Sequence, residues 1–179
     1  MNHPGKNKKI FIGIGSNMGD SSAYCINSLK EIIKDNKVKL ISASSLYETS
    51  AVSDIKQNDF INCAVSITWL GKPLELLRLL NSIEQKFGRI RSFKGAPRII
   101  DLDILLYNDS VIDKPSLVVP HPELHKRKFA IIPCIEIEPT VIHPLFNKPL
   151  KQYLSVIDEN QKIRKVMNKE EVMKHINPL

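Results

Sequence analysis

The feature that most constrains the fold is the order of segments with strand-like and helix-like hydrophobic patterns between residues 9 and 107. Apolar runs and alternating patterns predict strands, whereas apolar residues that recur every three or four positions predict helices. The predicted strands span about 9–14, 38–48, 60–69 and 99–107, and the predicted helices about 21–35 and 73–87. This β-α-β-β-α-β order is typical of the ferredoxin-like arrangement, an α+β fold in which helices cover one face of an antiparallel sheet.

The pattern is weaker beyond residue 107. It predicts a short strand at 117–119 and a short helix at 124–134, followed by a proline-rich irregular stretch at 133–149. A length of 179 residues suits one domain. We therefore expect a single domain over 1–179, with a ferredoxin-like core at about 9–157, an additional C-terminal strand and helix segment, and polar, basic tails at 1–8 and 158–179.

The net charge of +7, with an isoelectric point near 9.3, raises the question of a polyanionic partner. Residues 1–9 and 161–179 each carry +3, which leaves +1 for residues 10–160. This distribution argues against a nucleic-acid partner, and no apolar run approaches the ~20 residues that a membrane span requires. One central cluster nevertheless contains five basic residues and no acid: Lys86, Arg89, Arg91, Lys94 and Arg98.

The three cysteines, Cys25, Cys63 and Cys134, are widely spaced and lack a C-x-x-C pattern. Such a set is typical of buried free thiols. The polar N-terminal segment leads into an apolar run that is too short for the core of a signal peptide. We therefore expect a cytoplasmic protein, and we expect it to be a monomer.

The sharpest chemical signal is Asp101-Leu102-Asp103, at the start of a predicted strand. Because alternate strand residues share a face, Asp101 and Asp103 should point to the same side, roughly 6.6 Å apart along the chain, with Leu102 directed into the core. Mg²⁺ usually takes one or two protein carboxylates and completes its shell with water or phosphate oxygens. The pair is a candidate Mg²⁺ site, although a solvated sheet face with neighbouring lysines would show the same pattern.

The basic cluster lies immediately upstream of these carboxylates. Guanidinium groups bind phosphate oxygens in bidentate fashion. Arginines beside an acid pair would supply both parts of a site for a Mg-bound nucleotide. Each arginine taken alone is more typical of a solvated surface, and it is the combination with the acid pair that favours phosphate.

Glu84, His121 and Arg127 are further candidates. Glu84 borders the apolar stripe of the second predicted helix, where an ion pair at the helix edge is the alternative interpretation. His121 stands between Pro120 and Pro122, which restrict the backbone on both sides. The imidazole would therefore be well placed either to donate to phosphate or to make a structural hydrogen bond.

Aromatic and amide side chains could recognise a flat ligand. Phe60 and Asn62 share one face of their predicted strand, which places an aromatic ring beside an amide. Phe129 follows Arg127 on the next segment. For Phe60, burial in the core is the alternative.

Several nucleotide-binding motifs are missing. Gly13, Gly15 and Gly19 do not have the spacing G-x-G-x-x-G, and no G-x-x-x-x-G-K-[ST] occurs in the chain. The strand at 60–69 does not match the signature of the RNA-recognition domain, which shares the β-α-β-β-α-β order. A dinucleotide-binding fold, a P-loop and an RNA-recognition domain are all disfavoured.

A set of motifs resembles one known family. The segments are IGIGSNMGD, YETSAV, DFINCAV, IEQKFGRIR, APRIIDLDILLY and VVPHPELHKRKFAIIP, in this order over about residues 10–146. They are similar to 6-hydroxymethyl-7,8-dihydropterin pyrophosphokinases of the folate pathway. The resemblance implies a ferredoxin-like fold, two Mg²⁺ ions, and transfer of the β,γ-pyrophosphoryl group of ATP to the pterin hydroxymethyl group with release of AMP.

The resemblance also implies roles for individual residues. Asp101 and Asp103 would bind both magnesium ions, and the loop arginines Arg89, Arg91 and Arg98 would approach the phosphates. The remaining contacts would be made to ATP by Glu84, His121 and Arg127, and to the pterin by Thr49, Phe60, Asn62 and Phe129. In the pterin pocket, Phe60 and Phe129 would sandwich the ring while Asn62 reads its polar edge.

The loops at about 49–59 and 88–98 are expected to close over the substrates.

Two other classes of function stay open at this stage. One is a different metal-dependent nucleotide enzyme, such as a nucleotidyltransferase that releases pyrophosphate. The other is a non-catalytic nucleic-acid binder that uses the basic ends of the chain.

Overall fold

A mixed α/β architecture is built around an antiparallel sheet, and the computed structural model describes residues 9–51, 57–89 and 96–177. In these ranges the strands are β1 (Ile10–Ser16), β2 (Val38–Ala43), β3 (Leu46–Thr49), β4 (Phe60–Trp69), β5 (Asp101–Tyr107), β6 (Ile112–Lys114), β7 (Leu117–Val119), β8 (Ile142–His143), β9 (Lys148–Pro149) and β10 (Ile163–Met167). The helices are α1 (Ser21–Ile33), α2 (Pro73–Lys86), α3 (Lys128–Ile137) and α4 (Lys169–Ile176), with 3₁₀ helices at Leu124–Lys126 and Leu150–Ser155.

The main sheet has the strand order β10-β3-β4-β1-β5, and β2 also pairs with β4. All of its pairings are antiparallel. The strands β1, β4 and β5 therefore lie side by side at the centre of the sheet and its β5 edge. Four candidate residues lie on these strands: Phe60, Asn62, Asp101 and Asp103.

Apolar side chains cover both faces of this sheet. On one face, Ile12 and Val65 pack with residues of α1, α2 and α4. On the other face, Phe11 and Ala64 pack with α3 and the second 3₁₀ helix. The expectation that helices cover one face is thus met by α1 and α2, while α3 adds a layer on the opposite face. The period-2 alternation of β1 and β4 explains how both faces are buried.

The sequence pattern located several elements correctly. The strand predicted at 60–69 is β4, and the predicted helix at 73–87 is α2, which has Pro73 in its first turn and Gly88 at φ 79° just beyond its end. The conformation of Gly88 is the left-handed one that glycine adopts without a steric cost. Local signals therefore sufficed for both elements.

One predicted strand is wrong, because the segment 38–48 divides into β2 and β3. Ser44 exchanges two hydrogen bonds with Ala64, its N–H donating to the Ala64 carbonyl and its Oγ accepting from the Ala64 N–H, both at 2.9 Å. The backbone N–H and the hydroxyl of Ser45 donate to the Glu136 carboxylate, each at 2.7 Å. These contacts with β4 and α3 interrupt the strand, and neither partner is close in sequence.

The C-terminal boundary of the core is also corrected. Residues 163–176, which the sequence assigned to a polar tail, form β10 and α4, and Val172 and Ile176 are buried in the main core. Asn168 begins α4 with a capping box, in which its side chain accepts from the Glu171 N–H at 2.8 Å. Two apolar positions on a short amphipathic helix gave too weak a sequence signal to predict this packing.

The predicted tail 1–8 lies outside the described residues, as do positions 52–56 and 90–95 of the two long loops. Across the parts of the chain that the structure describes, no helix combines the length and apolar character needed to cross a membrane.

Candidate functional site

A cleft of about 850 Å³ opens beside the ends of β1, β4 and β5. Eleven of the twelve predicted site residues line it: Thr49, Phe60, Asn62, Glu84, Arg89, Arg98, Asp101, Asp103, His121, Arg127 and Phe129. The twelfth, Arg91, lies outside the described residues. Residues that are up to 80 positions apart in sequence are thus brought together in one cavity.

The strand register explains why Asn62 and Asp101 share this cleft. Gly15 of β1 pairs with Asn62 of β4 on one side and with Asp101 of β5 on the other. A Cβ atom at Gly15 would come within 2.6 Å of the Asn62 Oδ1 atom. Glycine therefore keeps open the space that the Asn62 amide occupies, which is the close-approach role of this residue type.

The two carboxylates of β5 lie in different surroundings. Asp101 is paired with the guanidinium groups of both Arg89 and Arg98. Asp103 is 3.8 Å from the Nε2 atom of His121. Because Leu102 is buried between them, Asp101 and Asp103 share the cleft face, as the strand period predicts.

The pKa of Asp103 is raised to about 7. Burial at the floor of the cleft disfavours its charged form, and the carboxylates of Asp101 and Glu84 repel a further negative charge. The side chain still exposes 41% of its surface, so burial is incomplete. A bound cation would offset this repulsion between the carboxylates and would lower the pKa of Asp103.

Glu84 connects the second helix to the acidic strand. Its carboxylate, only 3% exposed as a residue, accepts from the backbone N–H of Leu102 at 2.8 Å and pairs with Arg89. Burial opposes the charge of Arg89, but Asp101 and Glu84 outweigh it and raise the arginine pKa. Glu84 thus touches the backbone between the two aspartates and one of the candidate phosphate-binding arginines.

His121 is held by its backbone and its ring. Its N–H donates to the Leu105 carbonyl at 2.9 Å, and its Nδ1 atom accepts from the Glu123 N–H at 3.1 Å. Burial and the charge of Arg127 lower the imidazole pKa. Because Nδ1 is an acceptor, the neutral ring carries its proton on Nε2, which faces Asp103 and the cleft.

Aromatic and amide side chains also line the cleft. The buried Asn62 donates through Nδ2 to Thr49 Oγ1 at 2.7 Å, which orients its carboxamide. The guanidinium of Arg98 lies 6.0 Å from the centre of the Phe60 ring. That of Arg127 lies 5.6 Å from the Phe129 ring. Both phenylalanines therefore face cations as well as the cavity.

Sequence reasoning missed two residues at the site, and Asn17 is the first. It is 2% exposed and exchanges bonds with Arg98: its side-chain Oδ1 accepts from the Arg98 N–H at 2.8 Å, and its own N–H donates to the Arg98 carbonyl at 3.1 Å. The segment GSNMGD after β1 contained Asn17, but its partner is 81 residues away. The second missed residue, Gln161, had no local signal.

The donor set suits Mg²⁺. Asp101 and Asp103 offer hard carboxylate oxygens on one face, and their mutual repulsion with Glu84 favours a cation. Within 9–51, 57–89 and 96–177, no three His, Cys, Asp or Glu side chains are arranged to hold a metal ion. A site with two protein carboxylates, completed by phosphate and water oxygens, is the coordination that Mg²⁺ commonly accepts.

An open cleft with paired carboxylates and arginines is the arrangement expected of a phosphoryl-transfer enzyme. The family model described as 7,8-dihydro-6-hydroxymethylpterin-pyrophosphokinase (HPPK) matches residues 11–139. The chain therefore belongs to this family.

Curated relatives agree with that assignment. The chain is 40% identical over 144 residues to a 2-amino-4-hydroxy-6-hydroxymethyldihydropteridine pyrophosphokinase of Aquifex aeolicus, covering 80% of this chain and 89% of that protein. It is 39% identical over 131 residues to the protein of the same name from Bacillus subtilis, covering 73% of this chain and 78% of the relative.

Solved structures support the fold alone. An HPPK-DHPS structure from Plasmodium falciparum superposes with a TM-score of 0.65 at 17% identity, covering 88% of this chain and 49% of the other. The chain thus spans about half the length of that solved protein. The shared architecture is a mixed α/β fold with an antiparallel sheet and several helices.

Proposed function

We propose that the protein transfers pyrophosphate from ATP to the hydroxymethyl group of 6-hydroxymethyl-7,8-dihydropterin, with release of AMP, in folate biosynthesis. Membership of the pyrophosphokinase family supports this activity. The observation that carries the proposal is the composition of the cleft. The cleft combines Asp101, Asp103 and arginines with phenylalanines and the oriented amide of Asn62.

Asp101 and Asp103 would hold Mg²⁺ together with the phosphates, and we expect two ions. When bound, the metal neutralises the triphosphate and favours attack at its β-phosphorus. Asp101 is paired with Arg89 and Arg98, and these arginines would turn from Asp101 to phosphate oxygens when ATP binds. Asp101 thus holds both arginines close to the place where they would act.

The cationic side of the cleft would bind the nucleotide. Arg89, Arg91, Arg98 and Arg127 would contact phosphate oxygens, and the Nε2–H group of neutral His121 would donate to one of them. In the reaction, the pterin hydroxyl oxygen bonds to the β-phosphorus and the bond to the α,β-bridging oxygen breaks, so that AMP leaves with that oxygen. Arg98 would stabilise the charge that develops there; the hydroxyl proton passes to solvent, and no side chain is assigned as a general base.

The aromatic side of the cleft would bind the pterin. Phe60 and Phe129 offer flat apolar faces for its ring, and Asn62 presents polar atoms to its edge. Since Thr49 accepts from Asn62 Nδ2, the Asn62 Oδ1 atom is available to accept from the pterin. An oriented amide of this kind distinguishes a pterin from an analogue with a different donor pattern.

The order of the sheet strands supports a ferredoxin-like core, and α1, α2 and α4 packed on one face with α3 on the other are compatible with a single domain. We propose that the protein acts as a monomer, in which one chain supplies the eleven candidate residues of the cleft. We also propose a cytoplasmic location, since all three cysteines are free thiols, the state that reducing compartments maintain.

The loops 49–59 and 88–98, which lie partly outside the described residues, would close over the substrates and exclude water.

The experiment that tests the activity is incubation of the protein with Mg-ATP and 6-hydroxymethyl-7,8-dihydropterin, followed by assay of the nucleotide product. AMP that depends on both the pterin and Mg²⁺ supports the proposal. Pyrophosphate as the product would indicate a nucleotidyltransferase. Absence of turnover, together with steeply salt-dependent nucleic-acid binding that survives mutation of Asp101 and Asp103, would indicate a nucleic-acid binder.

A further inference from the structure

Gln161 lies beyond residues 11–139, the part of the chain that matches the family model, yet its side chain lines the cleft. Its Nε2 atom donates to the Lys126 carbonyl at 3.1 Å, and its Oε1 atom accepts from the Lys128 N–H at 3.0 Å. One amide thus bonds to the backbone on both sides of Arg127. Arg127 is a candidate ATP-binding residue.

These two hydrogen bonds satisfy backbone groups that have no partner within the neighbouring helices. The first N–H groups of an α-helix have no partner within the helix. Helix α3 begins at Lys128, and its N-cap residue, Arg127, provides no side-chain cap of its own. Gln161 supplies the missing acceptor from a distant part of the chain, and it also donates to the carbonyl at the end of the preceding 3₁₀ helix. The extended backbone of Arg127, at φ −123° and ψ 107°, is therefore held from both sides.

The turn that carries Gln161 is itself attached to the other wall of the cleft. Ser50 follows the candidate pterin-binding residue Thr49. The Ser50 N–H donates to the Lys162 carbonyl at 3.2 Å, and its Oγ atom accepts from the Lys162 N–H at 3.1 Å. Within the turn, the Asn160 N–H donates to Asp158 Oδ1 at 2.9 Å. The segment 158–162 therefore connects the end of β3 to the start of α3.

We propose that Gln161 is a positioning residue for the pyrophosphoryl transfer, acting through the backbone of Arg127 and the neighbouring Phe129. This inference rests on the proposed function. The guanidinium of Arg127 lies over the Phe129 ring, so a shift of the backbone between Lys126 and Lys128 would displace a phosphate-binding cation and a pterin-binding ring together. Gln161 itself has both ends of its amide engaged with the backbone and need not touch either substrate.

The first test is steady-state kinetics of Gln161→Ala, Gln161→Glu and the control Gln152→Ala. Gln152 is exposed, and its hydrogen bond with Ser155 uses the backbone carbonyl, so the control removes the same side chain without these contacts. Since small displacements of positioned groups can cost up to about 100-fold, we expect Gln161→Ala to lower kcat/KM for ATP about 10- to 100-fold. Gln161→Glu keeps the acceptor for the Lys128 N–H but loses the donor, and should give an intermediate value with an unchanged melting temperature.

The second test is a double-mutant cycle with Arg127→Ala. If Gln161 acts through Arg127 and Phe129, Gln161→Ala should lower kcat/KM by a smaller factor in the Arg127→Ala enzyme than in the wild type, because the effects of interacting residues are not additive. Fully additive effects would overturn the inference, as would a Gln161→Ala enzyme equal to the Gln152→Ala control. In both cases the wild type still forms AMP and the proposed function stands. A wild type that forms no AMP overturns the proposed function and this inference with it.

Discussion

The Glu84 carboxylate accepts a hydrogen bond from the backbone N–H of Leu102 at 2.8 Å. Leu102 stands between Asp101 and Asp103, so a side chain of α2 holds the backbone segment that presents both aspartates. The same carboxylate pairs with Arg89. A buried acid at the end of a helix thereby fixes the relative position of the candidate metal ligands and one candidate phosphate ligand.

Removal of this carboxylate should destabilise the protein. Glu84→Ala leaves the buried Leu102 N–H without its acceptor, while Arg89 keeps Asp101 as its remaining acidic partner, and we expect the free energy of unfolding to fall by about 1–3 kcal/mol. Urea denaturation measures the change. The control is Glu75→Ala, which removes a carboxylate of α2 that forms an exposed ion pair with Lys37, and it should change the free energy of unfolding much less. Equal effects of the two substitutions would contradict the assigned role.

Asp103→Asn should nearly abolish turnover. The amide keeps the size of the side chain but loses the charge that would attract Mg²⁺, and loss of several kcal/mol of transition-state stabilisation corresponds to about a 10³-fold lower kcat. Pterin binding, measured by calorimetry, should change little because Phe60 and Asn62 are untouched. Asp113→Asn on the exposed strand β6 is the matched control. Wild-type turnover by Asp103→Asn would refute the metal assignment.

Arg98→Ala should lower kcat more than it weakens substrate binding. If the guanidinium stabilises charge on the departing AMP oxygen, its loss should cost about 10²- to 10³-fold in kcat. Pre-steady-state product formation separates this effect from binding. Arg164→Ala, which breaks an exposed pair with Glu48, provides the control. A change confined to KM would show that Arg98 contributes ground-state binding only.

His143 should make stability depend on pH. It is 1% exposed, neither ring nitrogen has a hydrogen-bond partner within the described residues, and burial together with the nearby His125 lowers its pKa to about 4. The unfolded chain binds this proton near the ordinary pKa of about 6.5, so between these values the unfolded state holds more protons. Stability should therefore fall by as much as about 3 kcal/mol as the pH decreases from about 7 to 4.

The comparison of His143→Phe with His175→Phe isolates this contribution. His175 is exposed on α4, so His175→Phe is the matched exposed control. His143→Phe should flatten the curve of unfolding free energy between pH 4 and 7, while Phe146, stacked on the His143 ring at 4.6 Å, can pack against the new ring. Parallel curves for the wild type and His143→Phe would contradict the prediction.

Local physical rules account for what could be predicted. Pro73 and Gly88 mark the limits of α2 through their own backbone preferences, and the period of two in β5 places Asp101 and Asp103 on one face. The break at Ser44-Ser45 was not predictable in this way, because it depends on Ala64 and Glu136, which come from other elements. Burial of α4 likewise depends on the core that receives Val172 and Ile176.

By itself the sequence determined the order of elements through residue 107 apart from the break at Ser44-Ser45, the presence of arginines beside Asp101 and Asp103, and the resemblance that the family comparison bears out. These properties depend on hydrophobic periodicity and on short motifs, which involve only residues that are close together in the sequence. Only the tertiary structure decided that Glu84 holds the Leu102 backbone, that Asn17 holds Arg98, and that Gln161 bonds on both sides of Arg127. Each of these bonds joins groups far apart in sequence, and a hydrogen bond has a direction and a length that exist only once the chain has brought both partners together.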